Sequence, residues 1–204
     1  LMNLAAAFGS LVGVGAATLV SMRLGQRDYE TAQRILGNVV VLNLIIGISF
    51  GLLTLVFLDP ILYFFGASDA TIGYAREYMS VILWGNVVTH MYLGLNAVLR
   101  AAGHPRKAMY ATILTVTINA ILDPLFIFVF HMGMAGAALA TITGQILSFA
   151  LVVFYLRGFK TLPLSLSDLK PKIACWARIA ALGATPAFNQ VAMMVVQIVM
   201  NNTL

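Results

Sequence analysis

Six apolar stretches of membrane-spanning length follow one another along the chain, at 4–22, 35–58, 78–99, 108–130, 134–156 and 179–200. A helix needs about 20 residues to cross the hydrocarbon layer, and each stretch is near that length. Transmembrane strands would give alternating segments of about 10 residues, and these stretches do not alternate. Hydrophobic residues make up 61% of the sequence and charged residues 9%; soluble domains are about a quarter charged. Lipid is therefore the expected solvent. The sequence predicts an all-α, polytopic membrane bundle of six transmembrane helices.

The formal net charge is +5, which raises the question of a nucleic-acid partner. The distribution of the charge answers it. Loop 23–34 holds Arg23, Arg27 and Arg34, loop 59–77 only Arg76, and loop 100–107 Arg100, Arg106 and Lys107. Loop 131–133 holds no Lys or Arg, and segment 157–178 holds Arg157, Lys160, Lys170, Lys172 and Arg178. Basic residues thus fall in every second connection, the signature of positive-inside topology. This places 23–34, 100–107 and 157–178 in the cytoplasm of a plasma (inner) membrane protein, and it implies the bilayer rather than nucleic acid as the partner.

Cys175 is the sole cysteine, so no intrachain disulfide can form. His90, His104 and His131 show no ligand spacing with it or with each other, so no metal site of the zinc type is expected. The small residues of the first span, among them Gly9, Gly13 and Gly15, predict a tight helix-packing face. The second span carries Asn38 and Asn43 and otherwise reads as lipid-facing. The proline- and serine-bearing stretch KTLPLSLSDLKPK reads as a linker. The expected organisation is one lobe at 1–156, a cytoplasmic linker at 157–178, and the first helix of a second lobe at 179–204, where Pro186 could introduce a kink. The start LMNLAAAFGS and the apolar end suggest a piece of a longer protein, whose remainder would be a partner.

The run TINAILDPLFIF sets Asp123 and Pro124 inside the fourth span. Treating the pair as a helix start would leave two pieces too short to cross. Asp123 lies seven residues from Phe130, roughly 10 Å below the end of the span. A carboxylate near a helix centre costs about 2.5–3.5 kcal/mol on the mild insertion scale, so it should face the bundle interior or a wet cavity. Pro124 has no N–H and deprives the Ala120 carbonyl of its helical partner. Asn119 stands one turn from Asp123 on the same face. On the next helix Thr141 is at a depth matching Asp123, and Gln145 at a depth matching Asn119. Rotation about the helix axes decides whether these groups meet. Oxygen ligands of this kind suit an alkali cation.

Residues 99–145, LRAAGHPRKAMYATILTVTINAILDPLFIFVFHMGMAGAALATITGQ, closely resemble the multidrug and toxic compound extrusion (MATE) transporters. GVGAATLVSMRLGQRDYETAQRILGN, residues 13–38, is similar to that family's second and third helices. The resemblance implies a twelve-helix antiporter of two six-helix lobes that exports organic cations in exchange for H⁺ or Na⁺, with no other cofactor. This chain would cover its second to seventh helices. The resemblance further implies a cation site, for H⁺ or Na⁺, at Asp123, Asn119 and Thr141, joined by Asn96; Gln145, by its depth alone, is the candidate supporting polar group.

Two rival functions make different demands on the sequence. A lipid-linked oligosaccharide flippase of the same superfamily would be expected to show cationic residues in the central cavity, whereas these spans have no interior Lys or Arg. An intramembrane enzyme would need a second deep carboxylate or a Ser–His pair, and neither is evident, so no catalysis is expected.

Overall fold

The computed structural model describes residues 2–158 and 166–203. The helices are α1 (Met2–Gly25), α2 (Tyr29–Val56), α3 (Leu58–Phe64), α4 (Ile72–Trp84), α5 (Asn86–Ala101), α6 (Pro105–Pro124), α7 (Gly133–Arg157) and α8 (Ile173–Thr203). A π-helical turn, Leu125–Val129, extends α6, and a 3₁₀ turn, Leu166–Leu169, precedes α8.

Among the described residues, five segments are long and apolar enough to cross a membrane alone: Ala7–Gly25, Tyr29–Val56, Pro105–Val129, Gly133–Arg157 and Ile173–Met200. The remaining span differs from expectation. Instead of one helix over 78–99, α4 and α5 meet at an angle of 56°. The break falls at Gly85, where a Cβ would stand 2.6 Å from the Ile142 side chain of α7. Next to it, Asn86 donates its amide to the Gly47 carbonyl of α2 at 2.9 Å. A side-chain amide that competes for backbone partners and a residue without a Cβ are both poor helix continuers.

α1, α2 and α5 enclose the main core, with Val12, Val20, Leu36, Val39, Val98 and Leu99 fully buried. Smallness sets the helix spacing there, as expected for α1. Gly9 and Gly13 face Leu93 and Ala97 of α5, and Gly15 lies against the Ile179 carbonyl of α8. A smaller cluster, Leu58, Leu62, Met79 and Leu83, closes the other end of the bundle beneath α3.

The basic connections share one end. Arg23 and Arg178 line one groove, Met22 and Arg100 line another, and the Lys107 ammonium stands 5.4 Å from the centre of the Tyr155 ring. The opposite end carries the two-pronged ion pair of Arg76 with Asp59, at 2.8 and 2.6 Å. Phe64 is exposed beside it, as suits an aromatic residue at the membrane boundary.

Asn38 and Asn43, the polar exceptions of the second span, are both buried, at 1% and 0% exposure. One further expectation changes. α8 begins six residues earlier than expected and runs through Pro186 as one helix. Part of the linker is docked on α2 and covers Asn38: Gln33 Nε2 donates to Asp168 Oδ2 at 2.7 Å, and Lys172 N–H donates to Asn38 Oδ1 at 2.8 Å. The linker residues 159–165 lie outside the described residues.

Candidate cation site between α6 and α7

α7 presents a stripe of small residues to its neighbours at every fourth position: Gly136, Ala140, Gly144 and Ser148, all buried. Such a stripe lets helix backbones approach closely in lipid. A Cβ on Gly144 would stand 3.1 Å from the Thr115 carbonyl oxygen of α6, and one on Gly136 would stand 3.1 Å from Phe126. The connection between the helices is short, and Met132 N–H closes it onto the Phe126 carbonyl at 3.0 Å. α6 and α7 are thus antiparallel neighbours held by backbone proximity, with polar side chains lying beside the seam.

Three of the expected site residues meet there. Asn119 Nδ2 donates to Asp123 Oδ1 and to Thr141 Oγ1, each at 3.2 Å. Thr141 in turn donates its hydroxyl hydrogen to the Ala137 carbonyl at 3.1 Å. This order follows from the chemistry of the groups. Once the Thr141 hydrogen is committed to Ala137, its oxygen can only accept, and an ionised Asp123 can only accept. A donor must stand between them, and the Asn119 NH₂ has two hydrogens to give. Asp123 Oδ2 and Asn119 Oδ1 have no hydrogen-bond partner among the described residues. All three side chains are half-buried.

The register differs from the expected one. Thr141 pairs directly with Asn119 and reaches Asp123 only through it. Residues 125–129, between the site and the end of the span, form a π-helical turn with i→i+5 rings, so α-helical counting does not carry through them. Pro124 starts this stretch and removes a backbone donor there.

Gln145 does not join the cluster. Its Oε1 accepts from the Thr89 hydroxyl of α5 at 2.5 Å. One turn further along α7, Thr115 Oγ1 donates to Ser148 Oγ at 2.6 Å. Asn96 is also elsewhere: its Nδ2 donates to the Ala108 carbonyl at 3.1 Å. Ala108 is fifteen residues from Asp123 on the same helical segment, about 22 Å along the axis. Thr89, Thr115 and Ser148 were not singled out in the sequence. The four-residue spacing of Gly136, Ala140, Gly144 and Ser148 was the available signal for which face of α7 meets α6.

The MatE family model matches residues 1–125. Over 189 residues the chain is 32% identical to the multidrug export protein MepA of Staphylococcus haemolyticus, covering 92% of this chain and 42% of that protein. It is 28% identical over 194 residues to MepA of Staphylococcus saprophyticus, covering 95% and 43%. The fold superposes on the inward-facing conformation of a multidrug resistance MATE family transporter of the MOP superfamily, with TM-score 0.90 and 27% identity over 97% of this chain and 45% of that one. A MOP superfamily transporter from Pyrococcus furiosus, described as having a binding pocket of reverse polarity, matches with TM-score 0.88 and 26% identity over 95% of this chain and 43% of that one. The chain spans less than half the length of these relatives.

Proposed function

The chain belongs to the MatE family, and on that premise we propose that it is part of a secondary antiporter that exports small organic cations in exchange for H⁺ or Na⁺. Its matched relatives are multidrug export proteins, which supports the drug-like substrates. The observation that carries the coupling role is the carboxylate of Asp123, set within a membrane span and tied through the Asn119 amide to a hydroxyl on the next helix.

Asp123, Asn119 and Thr141 hold the coupling ion. Without it, the two amide hydrogens bridge two acceptors. A Na⁺ ion takes the place of those hydrogens, and the amide turns through half a rotation to present Oδ1. Carboxylate, amide and hydroxyl oxygens are then all ligands. A proton instead neutralises Asp123 and lets it donate. Either event changes the link between α6 and α7. Loss of the ion leaves a charge that favours a cationic drug. The π-helical turn beside Pro124 is the segment of α6 best able to adjust, and secondary transporters often set irregular helices beside their ion sites.

The basic connections then lie in the cytoplasm of the plasma membrane, and the chain supplies most of one lobe together with α8 of the next. The rest of the antiporter chain completes the path. The interiors of the spans carry no Lys or Arg, which suits a cationic substrate. The test is efflux of a fluorescent organic cation from vesicles holding the full-length protein, with H⁺ and Na⁺ gradients imposed separately. Efflux driven by at least one inward gradient is expected. Efflux indifferent to both gradients would overturn the coupling.

A further inference from the structure

A chain that joins two moving bodies needs slack, and few contacts should cross it. The segment 166–172 has no such slack. Its 3₁₀ turn, Leu166–Leu169, lies on α2 without clearance. A Cβ on Gly37 would stand 2.2 Å from the Asp168 carbonyl oxygen and 2.9 Å from the Asp168 side chain. Only a residue without a Cβ permits that approach. Gln33, one turn earlier on α2, ties the Asp168 carboxylate down at 2.7 Å.

Asn38 closes the other end of this contact. Its Nδ2 donates to the Arg34 carbonyl at 2.9 Å, and its Oδ1 accepts from Lys172 N–H at 2.8 Å. A buried acceptor left without a partner costs about 1–3 kcal/mol, so lifting Lys172 away is opposed until water enters. The Lys172 carbonyl in turn accepts from Cys175 N–H and Trp176 N–H, at 2.9 and 3.1 Å, in the first turn of α8. One residue thus bonds to α2 through its N–H and to α8 through its carbonyl.

α8 is fastened a second time, at its crossing with α1. Ile179, Gly183 and Ala187, four residues apart, are the buried positions among its described residues. Gly15 of α1 lies against the Ile179 carbonyl, and Gly183 lies against the Leu11 carbonyl. Beyond Ala187 no residue of α8 with described burial is buried.

This arrangement matches relatives in opposite states. Besides the inward-facing conformation, the chain superposes on the outward-facing conformation of a multidrug resistance MATE family transporter, with TM-score 0.88 and 26% identity over 95% of this chain and 44% of that one. Such a match takes in most of α8, which has 31 of the 204 residues. α8 therefore need not leave α1 and α2 between the two states.

We propose, resting on the antiporter reading with its two lobes, that segment 166–172 is a clasp that stays shut on α2 throughout transport and makes the near half of α8 a fixed part of the first lobe. The boundary at which the lobes move then lies beyond Ala187, and not in the linker that joins them in sequence.

Gln33→Cys and Asp168→Cys, in full-length protein otherwise free of cysteine, can be joined by a short reducible bis-methanethiosulfonate. Joining in high yield is expected, with gradient-driven export within a few-fold of the unjoined protein. Export lost on joining and restored by reduction would mean that the strap must open, and would overturn the clasp. Absence of gradient-driven export before joining would overturn the antiporter reading instead, and spin-label distances then decide on the clasp alone. Val56 lies 23 residues along α2 from Gln33, about 35 Å. Nitroxides at Val56→Cys and Lys170→Cys should therefore report one narrow distance, unchanged by acid, by Na⁺ or by an organic cation. Gly37→Ala, which forces the strap off its seat, should broaden that distance and lower the joining yield severalfold. A second distance without Gly37→Ala under any of these conditions would overturn the clasp, as would an unaltered distance with it.

Discussion

The α1–α8 seam and the α6–α7 seam are both built on glycine, yet they leave different amounts of room. At the first, a Cβ on Gly15 would stand 2.0 Å from the Ile179 carbonyl oxygen, and one on Gly183 would stand 1.8 Å from that of Leu11. Backbone lies directly on backbone, and no side chain fits at the crossing. At the second, Gly144 approaches Thr115 less closely, at 3.1 Å, and Ala140 keeps its methyl within the seam. The wider spacing admits a layer of side chains alongside, and that layer is polar: Asp123, Asn119 and Thr141, then Thr115 and Ser148. Close packing in lipid is a structural device at both seams. Only the seam that stops short of full contact can hold a site.

The largest effect should come from closing the tighter seam to its glycine. Gly183→Leu must push α8 off α1, because the obstacle is backbone and cannot rotate away. The loss should reach or exceed about 3 kcal/mol, the upper end for overpacking, seen as a collapse of the thermal midpoint of the purified full-length protein. A midpoint close to the parent's would mean that the two helices are not in contact. Gly144→Ala tests the wider seam. Thr115 has to give by only a few tenths of an ångström, so a cost of about 1 kcal/mol is expected, with weakened dependence of export on the coupling ion because Thr141 moves with α7.

Two smaller changes separate the site from its surroundings. Thr115→Val removes the bond to Ser148 and should cost about 0.6 kcal/mol, the average for a polar bond between membrane helices. The ion concentration for half-maximal export should not change. Thr141→Ala should cost a similar amount in stability but raise that concentration. If the two substitutions act alike on the ion dependence, the polar layer is glue along its whole length.

The smallest effect lies outside both seams. Asp28 caps α2 by accepting from Thr31 N–H at 3.1 Å. Hydrogen bonds from Thr31 chiefly, and the nearby Arg23 charge, hold its carboxyl below the ordinary 3.8. A lowered folded value means the cap is fully stabilising above 3.8 and is lost as the pH falls through that lowered value. The difference in melting midpoint between the parent and Asp28→Ala should therefore be constant near neutrality and vanish only in acid.

Much of this could be read from the chain itself. Span lengths and the alternation of basic connections follow from local composition, and helical spacing puts Asn119 and Asp123 on one face; the grouping of these two with Thr141 was implied by the family resemblance alone. Three features depended on information carried by partners far along the chain. The break at Gly85 lies where Ile142 of α7 fills the space a side chain would need. The burial of Asn38 depends on a linker residue more than a hundred positions away. The pairing of Asn119 with Thr141 depends on how α6 and α7 are rotated against each other, which spacing along one helix does not set. Asn96 went to Ala108 because level and rotation, not residue type, decide which polar groups meet.

Asp123→Asn in the full-length protein is the most direct test of the cation site. The substitution keeps size and hydrogen bonding and removes only the ionisable charge. Export of a fluorescent organic cation should lose its dependence on the H⁺ or Na⁺ gradient and fall to background, while insertion into the membrane and the thermal midpoint stay near the parent's. Normal export with an unchanged ion dependence would contradict this, and would make Asp123 a structural partner of Asn119.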